Sequence, residues 1–277
     1  MRARRRIGAL LGLLAGGIGC YAVAKPYVWP DHHGARVEQF RVTSRLTHRS
    51  LPVSVVIPED AGDGRPLLVY LHGRSGSADS EMRNEPMFAE LARLGKRAPV
   101  VAFPESAKAS YWHDRRDGRW GSYVMRTVIR EVEKRFHTDP RRIAIGGTSM
   151  GGFGAYDIAR LNPGRFCAVG GHSPAIWQTG GETAPGAFDD AADFARHDLV
   201  GTARTKPGRW AGPRLWLDAG RSDPFQPGDR AFVAALKGRG VPISAHIRWR
   251  GGHEHSYWQR HWRAYIDFYA SALAHCG

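Results

Sequence analysis

Ser149 stands between two glycines in the run Arg142-Ile143-Ala144-Ile145-Gly146-Gly147-Thr148-Ser149-Met150-Gly151-Gly152. A short β-branched run precedes it and a helical pattern follows at once, which is the layout of a nucleophile elbow. In so tight a turn a Cβ on either flanking residue would clash, so glycine is needed at 147 and 151. The turn lifts the Ser149 hydroxyl off the sheet, above the unpaired N–H groups and positive dipole end of the new helix. The chemistry this suits is acyl transfer, in which the serine needs a base to take its proton and an acid to orient that base. Downstream the chain offers Asp223, in Gly220-Arg221-Ser222-Asp223-Pro224-Phe225, and then two histidines in Gly251-Gly252-His253-Glu254-His255-Ser256-Tyr257-Trp258. Asp223 follows a predicted strand in a loop rising on the active-site face. Asp218 competes with it but lies nearer the strand interior. His253 and His255 share one loop, so the residues alone leave the base open between them.

The elements that must position these groups alternate between strand and helix. Val37–Ser44 and Leu51–Ile57 read as a hairpin, and Pro66–Leu71 as a buried strand running into the loop His72-Gly73-Arg74-Ser75-Gly76. Asp79–Leu94 carries helical spacing, Pro99–Phe103 is a strand, and Ser122–Phe136 is a helix with one apolar face. The elbow helix ends near Asn162-Pro163-Gly164, and the next strand is Phe166–Gly170. Pro213–Ala219, Asp229–Lys237, Ile243–Trp249 and a last helix reaching about Ala274 complete the series. This alternation predicts an α/β fold with a mostly parallel central sheet flanked by helices. Trp177–Pro213 breaks it: an insertion at about 174–212, rich in Gly, Thr, Pro and Asp, with a short helical piece near Asp190–His197. Loops this long are usually functional. The aromatic loop from Ser110 to Asp114 is expected at the rim of the site, so Trp112 there and Trp177 in the insertion are the candidate substrate-binding side chains. Trp177, Phe188, Phe194 and Trp210 fit either an apolar pocket or a small core of the insertion's own.

The chain has 277 residues, 42% hydrophobic and 24% charged. Residues 37–277 suit one catalytic domain rather than two small ones. The formal charge is +14, of which Arg2, Arg4, Arg5 and Arg6 belong to the N-terminal segment. The other arginines are scattered, with no basic helix face interleaved with aromatics, so no nucleic-acid partner is expected. Residues 1–24 read as a signal peptide: four arginines, an apolar stretch from Ile7 to Val23, and Ala22-Val23-Ala24 for cleavage. A poor lipobox around Cys20, or an uncleaved apolar anchor, would tie the protein to a membrane instead. Every version places it outside the cytoplasm, secreted or in the cell envelope. Residues 25–36 read as a linker, where Asp31-His32-His33 is expected to be exposed and polar rather than metal-binding. Cys167 and Cys276 fit a disulfide and free thiols equally well. No Cys and His pair has zinc-site spacing, and the serine chemistry needs neither metal nor organic cofactor.

Taken together, Gly147-Thr148-Ser149-Met150-Gly151-Gly152, the His72-Gly73-Arg74 loop, Gly220-Arg221-Ser222-Asp223-Pro224-Phe225 and the Gly-Gly-His…Tyr-Trp ending resemble the esterase family of esterase D and the mycobacterial mycolyltransferases. The resemblance covers most of residues 37–275 and implies the α/β-hydrolase fold. That pattern takes its oxyanion donors from the loop after the early strand and from the residue after the nucleophile, here the N–H groups of Arg74 and Met150. The match of Gly252-His253-x-x-x-Tyr257-Trp258 to the mycolyltransferase ending implies His253 as base. Glu254-His255-Ser256-Tyr257 resembles the esterase D ending and implies His255. The longer match favours His253. Mycolyltransferases carry a glutamate as triad acid where this chain offers Asp223, so the resemblance to them is incomplete. The expectation is an exported serine esterase acting on carboxylic esters through an acyl-enzyme. Acyl transfer to an envelope sugar or lipid is one alternative, and a non-catalytic carbohydrate- or matrix-binding protein on the same scaffold is another.

Overall fold

The computed structural model describes residues 30–59 and 62–276. Residues 1–24, read from sequence as a signal peptide or anchor, lie outside the described residues. Among those described, no helix is long and apolar enough to cross a membrane.

Eight strands form one sheet: β1 (Arg36–Ser44), β2 (Arg49–Ile57), β3 (Leu67–Leu71), β4 (Val100–Pro104), β7 (Ile143–Thr148), β8 (Ala168–His172), β9 (Arg214–Gly220) and β10 (Ser244–Trp249). Two short strands, β5 (Asp114–Arg115) and β6 (Gly118–Arg119), pair separately. The large sheet runs β1-β2-β4-β3-β7-β8-β9-β10, with β2 antiparallel to both neighbours and every pair from β4 to β10 parallel. Parallel strands covered on both faces must be apolar on both, and β3 is buried at every residue. Its alternate side chains divide between two cores. Leu67, Val69 and Leu71 join the helices α2 (Trp120–Tyr123), α3 (Ile129–Phe136) and α4 (Met150–Leu161). Leu68 and Tyr70 join α1 (Glu85–Leu94) and α8 (His255–Ala274) on the opposite face.

Several boundaries move for local reasons. Helix α1 begins at Glu85 rather than near Asp79, because Pro86 lacks an N–H and suits a first turn. Pro227 places the start of α7 (Gln226–Lys237) earlier than expected in the same way. The insertion holds two helices where one was expected: α5 (Ala191–His197) and α6 (Leu199–Thr205). Asp190 caps the first by accepting from the Asp193 N–H, and Asp198 caps the second by accepting from the Gly201 N–H. The insertion's aromatics form neither a free pocket wall nor a private core. Trp177 and Phe188 pack with Tyr111 and Phe153 of the main domain, while Trp210 packs on Phe232 and donates to the Tyr156 carbonyl. Ahead of β1, the His32 ring stacks on Phe88 and His33 hydrogen-bonds Glu85, so this part of the linker lies along α1.

Cys167, just before β8, and Cys276, just after α8, form a disulfide with Cα atoms 5.7 Å apart. It ties the C-terminal helix to the middle of the sheet.

Candidate active site

Strand β7 delivers Ser149 to the sheet's C-terminal edge and α4 begins at the next residue. Ser149 has φ 56° and ψ −116°, a conformation that L-residues rarely adopt outside strained turns. The surroundings impose it. The Ser149 N–H donates to the His172 carbonyl, and its own carbonyl accepts from the N–H groups of Phe153 and Ala175. The flanking glycines have a specific neighbour, the end of β3. A Cβ on Gly147 would meet the Leu71 carbonyl oxygen at 2.4 Å, and one on Gly151 would meet it at 1.9 Å.

Ser149 Oγ lies 2.8 Å from His253 Nε2, and His253 Nδ1 lies 3.0 Å from Asp223 Oδ2. The other oxygen of Asp223 accepts from the Phe225 N–H at 2.9 Å, leaving Oδ2 to hold the imidazole. This carboxylate orients the ring with Nδ1 protonated and Nε2 bare toward the serine. Phe225 and Trp258 meet the His253 ring edge-on, with centroids 5.0 and 5.2 Å away, and fix its plane. The loops carrying Asp223 and His253 are also joined directly. Gly251 crosses the end of β9 so closely that a Cβ on Gly220 would lie 2.3 Å from its carbonyl, which accepts from the Ser222 N–H.

Of the two candidate histidines, the fold brings His253 to the serine. His255 opens α8 on the exposed side of the cleft, near Glu81. Asp218, the competing acid, is fully buried in the layer between sheet and α8. There it accepts from His172 (2.8 Å), Trp216 (2.8 Å), Tyr257 (2.8 Å) and Tyr265 (2.9 Å). Burial pushes its carboxyl up, but these hydrogen bonds outweigh that and hold it below the usual carboxylate range.

The Arg74 loop abuts the elbow, since a Cβ on Gly73 would lie 3.4 Å from Ser149 Cβ. Met150 is the first residue of α4, where an N–H has no intrahelical acceptor. The Arg74 guanidinium reaches across the cleft to the Pro185 carbonyl of the insertion at 3.0 Å.

A cleft of about 460 Å³ opens over Ser149. Tyr111, Phe225, Trp258 and Ala184 give it apolar walls, while Arg74, Glu81 and His255 supply polar edges. Burial pushes the Glu81 carboxyl up, against a hydrogen bond from Asn84. Trp112 does not line this cleft. It is fully buried beneath the Arg74 loop, where its indole donates to the His72 carbonyl at 3.1 Å and its Cβ packs against Gly154. Its neighbour Tyr111 takes the wall position instead. Trp177 is buried behind Tyr111 and Phe225 and lines an adjoining groove rather than the cleft over Ser149. In sequence, Phe225 and Trp258 stand only as motif members. Their closeness to Asp223 and His253 was the one signal for a place in the cleft.

The comparisons with known proteins agree with this architecture. The chain is 26% identical over 252 residues to an S-formylglutathione hydrolase of Paracoccus denitrificans, covering 79% of this chain and 86% of that one. It is 28% identical over 151 residues to the bovine S-formylglutathione hydrolase, a match that spans about half of each chain, 50% and 51%. A solved ferulic acid esterase superposes with TM-score 0.76 at 19% identity, covering 89% of this chain and all of that one. The shared fold is the α/β-hydrolase fold. The Esterase family model matches residues 44–274. The chain belongs to the Esterase family.

Proposed function

We propose that this protein is an exported serine esterase that cleaves carboxylic esters through Ser149, His253 and Asp223. The observation that carries the reading is the unbroken line of contacts from Ser149 Oγ to His253 Nε2 and from His253 Nδ1 to Asp223, 2.8 and 3.0 Å, at the floor of the cleft. Ser149 attacks the ester carbonyl as His253 takes its proton. The oxyanion settles on the N–H groups of Arg74 and Met150, each such donor being worth ~3 kcal/mol. His253 returns the proton to the leaving alcohol, and Asp223 stabilises the imidazolium in between. Water, activated by the same histidine, then releases the acid. The aromatic walls suit an apolar acyl or aryl group, and the cleft falls in the range of small-molecule sites.

Two observations support export: the leader-like residues 1–24, and a disulfide of a kind that persists mainly in oxidising compartments. Both weigh against a cytosolic S-formylglutathione hydrolase role, which the relatives' names would otherwise invite.

The test uses the mature domain with p-nitrophenyl butyrate, beside Ser149→Ala, His253→Ala and His255→Ala. Turnover is expected to vanish in the first two and survive in the third. An inert folded wild type whose Ser149 resists a fluorophosphonate probe would sink the proposal in favour of a binding role. Product analysis with an added sugar acceptor distinguishes hydrolysis from acyl transfer.

A further inference from the structure

Beside the cleft, and separate from its catalytic groups, His113, Asp193 and His197 bring one ligand atom each to within 4.8 Å of one another. All three side chains are buried, at 0%, 0% and 8% exposure. His113 lies in the loop before β5. Asp193 and His197 are four residues apart, on one face of α5. His113 Nε2 is 3.0 Å from Asp193 Oδ2, and His197 Nε2 is 3.7 Å from Asp193 Oδ1. A tetrahedral ion with ligands at ~2.0–2.1 Å holds its ligand atoms roughly 3.4 Å apart; the two pairs, which use different oxygens of Asp193, lie on either side of that value, and side-chain rotation would close the set around one ion.

The hydrogen bonds around the cluster hold its members in place. Arg160 holds Asp157 Oδ1 with two hydrogen bonds, and Asp157 Oδ2 lies 2.8 Å from His197 Nδ1. His197 Nδ1 is thus engaged by Asp157, and its Nε2 faces Oδ1 of the Asp193 carboxylate. At 3.7 Å no hydrogen bond closes that gap. A carboxylate on the far nitrogen of an imidazole ligand is the usual outer support of a metal-bound histidine. Asp193 has its own supports, the Asp189 N–H at 2.9 Å and the Arg196 guanidinium at 3.0 Å. A cavity of about 170 Å³ borders His113 and Asp157 and has room for a water as fourth ligand.

We propose that His113, Asp193 and His197 form a binding site for one divalent transition-metal ion of the Zn²⁺ type. Two imidazoles and a carboxylate suit an ion of borderline softness rather than Ca²⁺ or Mg²⁺, which favour all-oxygen shells. Its place in the fold makes it a staple. It joins the loop that carries Tyr111 to the insertion that carries Ala184, and these form part of the cleft's wall. The stacking of His113 on Phe188, centroids 5.0 Å apart, continues the same junction.

The experiment strips the full chain with a chelator and titrates it with Co²⁺, then with Zn²⁺. One equivalent of Co²⁺ should give the intense visible bands of a four-coordinate site, and Zn²⁺ should displace it. At ~100-fold excess of free Zn²⁺ over its Kd, Tm should rise by roughly 5–10 °C. His197→Gln and Asp193→Asn should abolish the bands, whereas His33→Ala, in the Asp31-His32-His33 stretch ahead of β1, should keep them. X-ray absorption on the Zn²⁺-loaded wild type, showing two imidazole scatterers and an oxygen, tests the ligand set even if a variant misfolds. A wild type without Co²⁺ bands or a Zn²⁺-dependent Tm shift overturns the proposal, as do bands that persist in His197→Gln.

Discussion

The Tyr257 hydroxyl donates to Asp218 Oδ2 across 2.8 Å, only four residues beyond His253. This bond fastens the start of α8, and with it the loop that carries His253, to strand β9, which leads into Asp223. Asp218 is thus a hub for three elements: His172 on β8, Trp216 on β9, and Tyr257 and Tyr265 on α8. Hydrogen bonds to a charged group contribute about 1.5–3 kcal/mol each. Tyr257→Phe should therefore lower unfolding stability by about that amount in urea melts and reduce kcat more than it changes KM. Asp218→Leu, which strands four donors, should cost more than Tyr257→Phe. A neutral effect of both would remove Asp218 as an organiser of the site.

Asp223 and His255 make opposite predictions. Asp223→Asn should leave the fold intact and lower kcat/KM by about 10⁴-fold, because the imidazole loses its orienting charge. His255→Ala should stay within a few-fold of wild type. Steady-state kinetics on a chromogenic ester reads both, and equal losses in the two variants would contradict the assignment of His253.

Asp229, in the first turn of α7, is fully buried and neither of its oxygens has a hydrogen-bond partner among the described residues. Burial, with the charges of Asp223 and Asp218 nearby, pushes its carboxyl well above the usual range. The folded state therefore binds this proton more tightly than the unfolded chain. Its contribution is fully present below the unfolded pKa and is lost as pH rises toward the folded value. Asp229→Asn mimics the protonated acid, so its Tm relative to wild type should climb between pH 5 and pH 8. A pH-independent difference would mean that Asp229 is not held neutral.

Gly151→Ala places a methyl group against the Leu71 carbonyl, backbone on backbone, with no flexible side chain to yield. Activity should fall by at least 100-fold, since a displacement of about 1 Å at a reacting group has that effect. Unchanged fluorophosphonate labelling of Gly151→Ala would show that the elbow can relax.

The Cys167–Cys276 bridge closes a sequence separation of 109 residues. Cys276→Ser should lower stability by about 2–4 kcal/mol. Dithiothreitol should bring wild type to the same Tm while leaving the variant unmoved. A reductant-insensitive wild type would show that the bridge does not contribute.

The local parts of this protein are written in the chain. The strand-to-helix turn at Ser149, the glycines beside it and the alternation of β and α follow from side-chain periodicity and steric limits acting over a few residues, so they were legible directly. So was the placement of Asp223 beyond the end of β9, because a loop after a strand emerges at that edge of the sheet. Tertiary structure decided what depends on which distant surfaces meet. His253 rather than His255 faces the serine because the Gly251 crossing over β9 sets the loop's height, and that contact has no sequence period. Trp112 turned inward because the Arg74 loop needs a support beneath it, and Tyr111 took the wall. The cysteines met because α8 returns across the sheet. His113 meets Asp193 and His197 across some eighty residues, a closeness that no local spacing records, because only the packing of the insertion on the domain creates it.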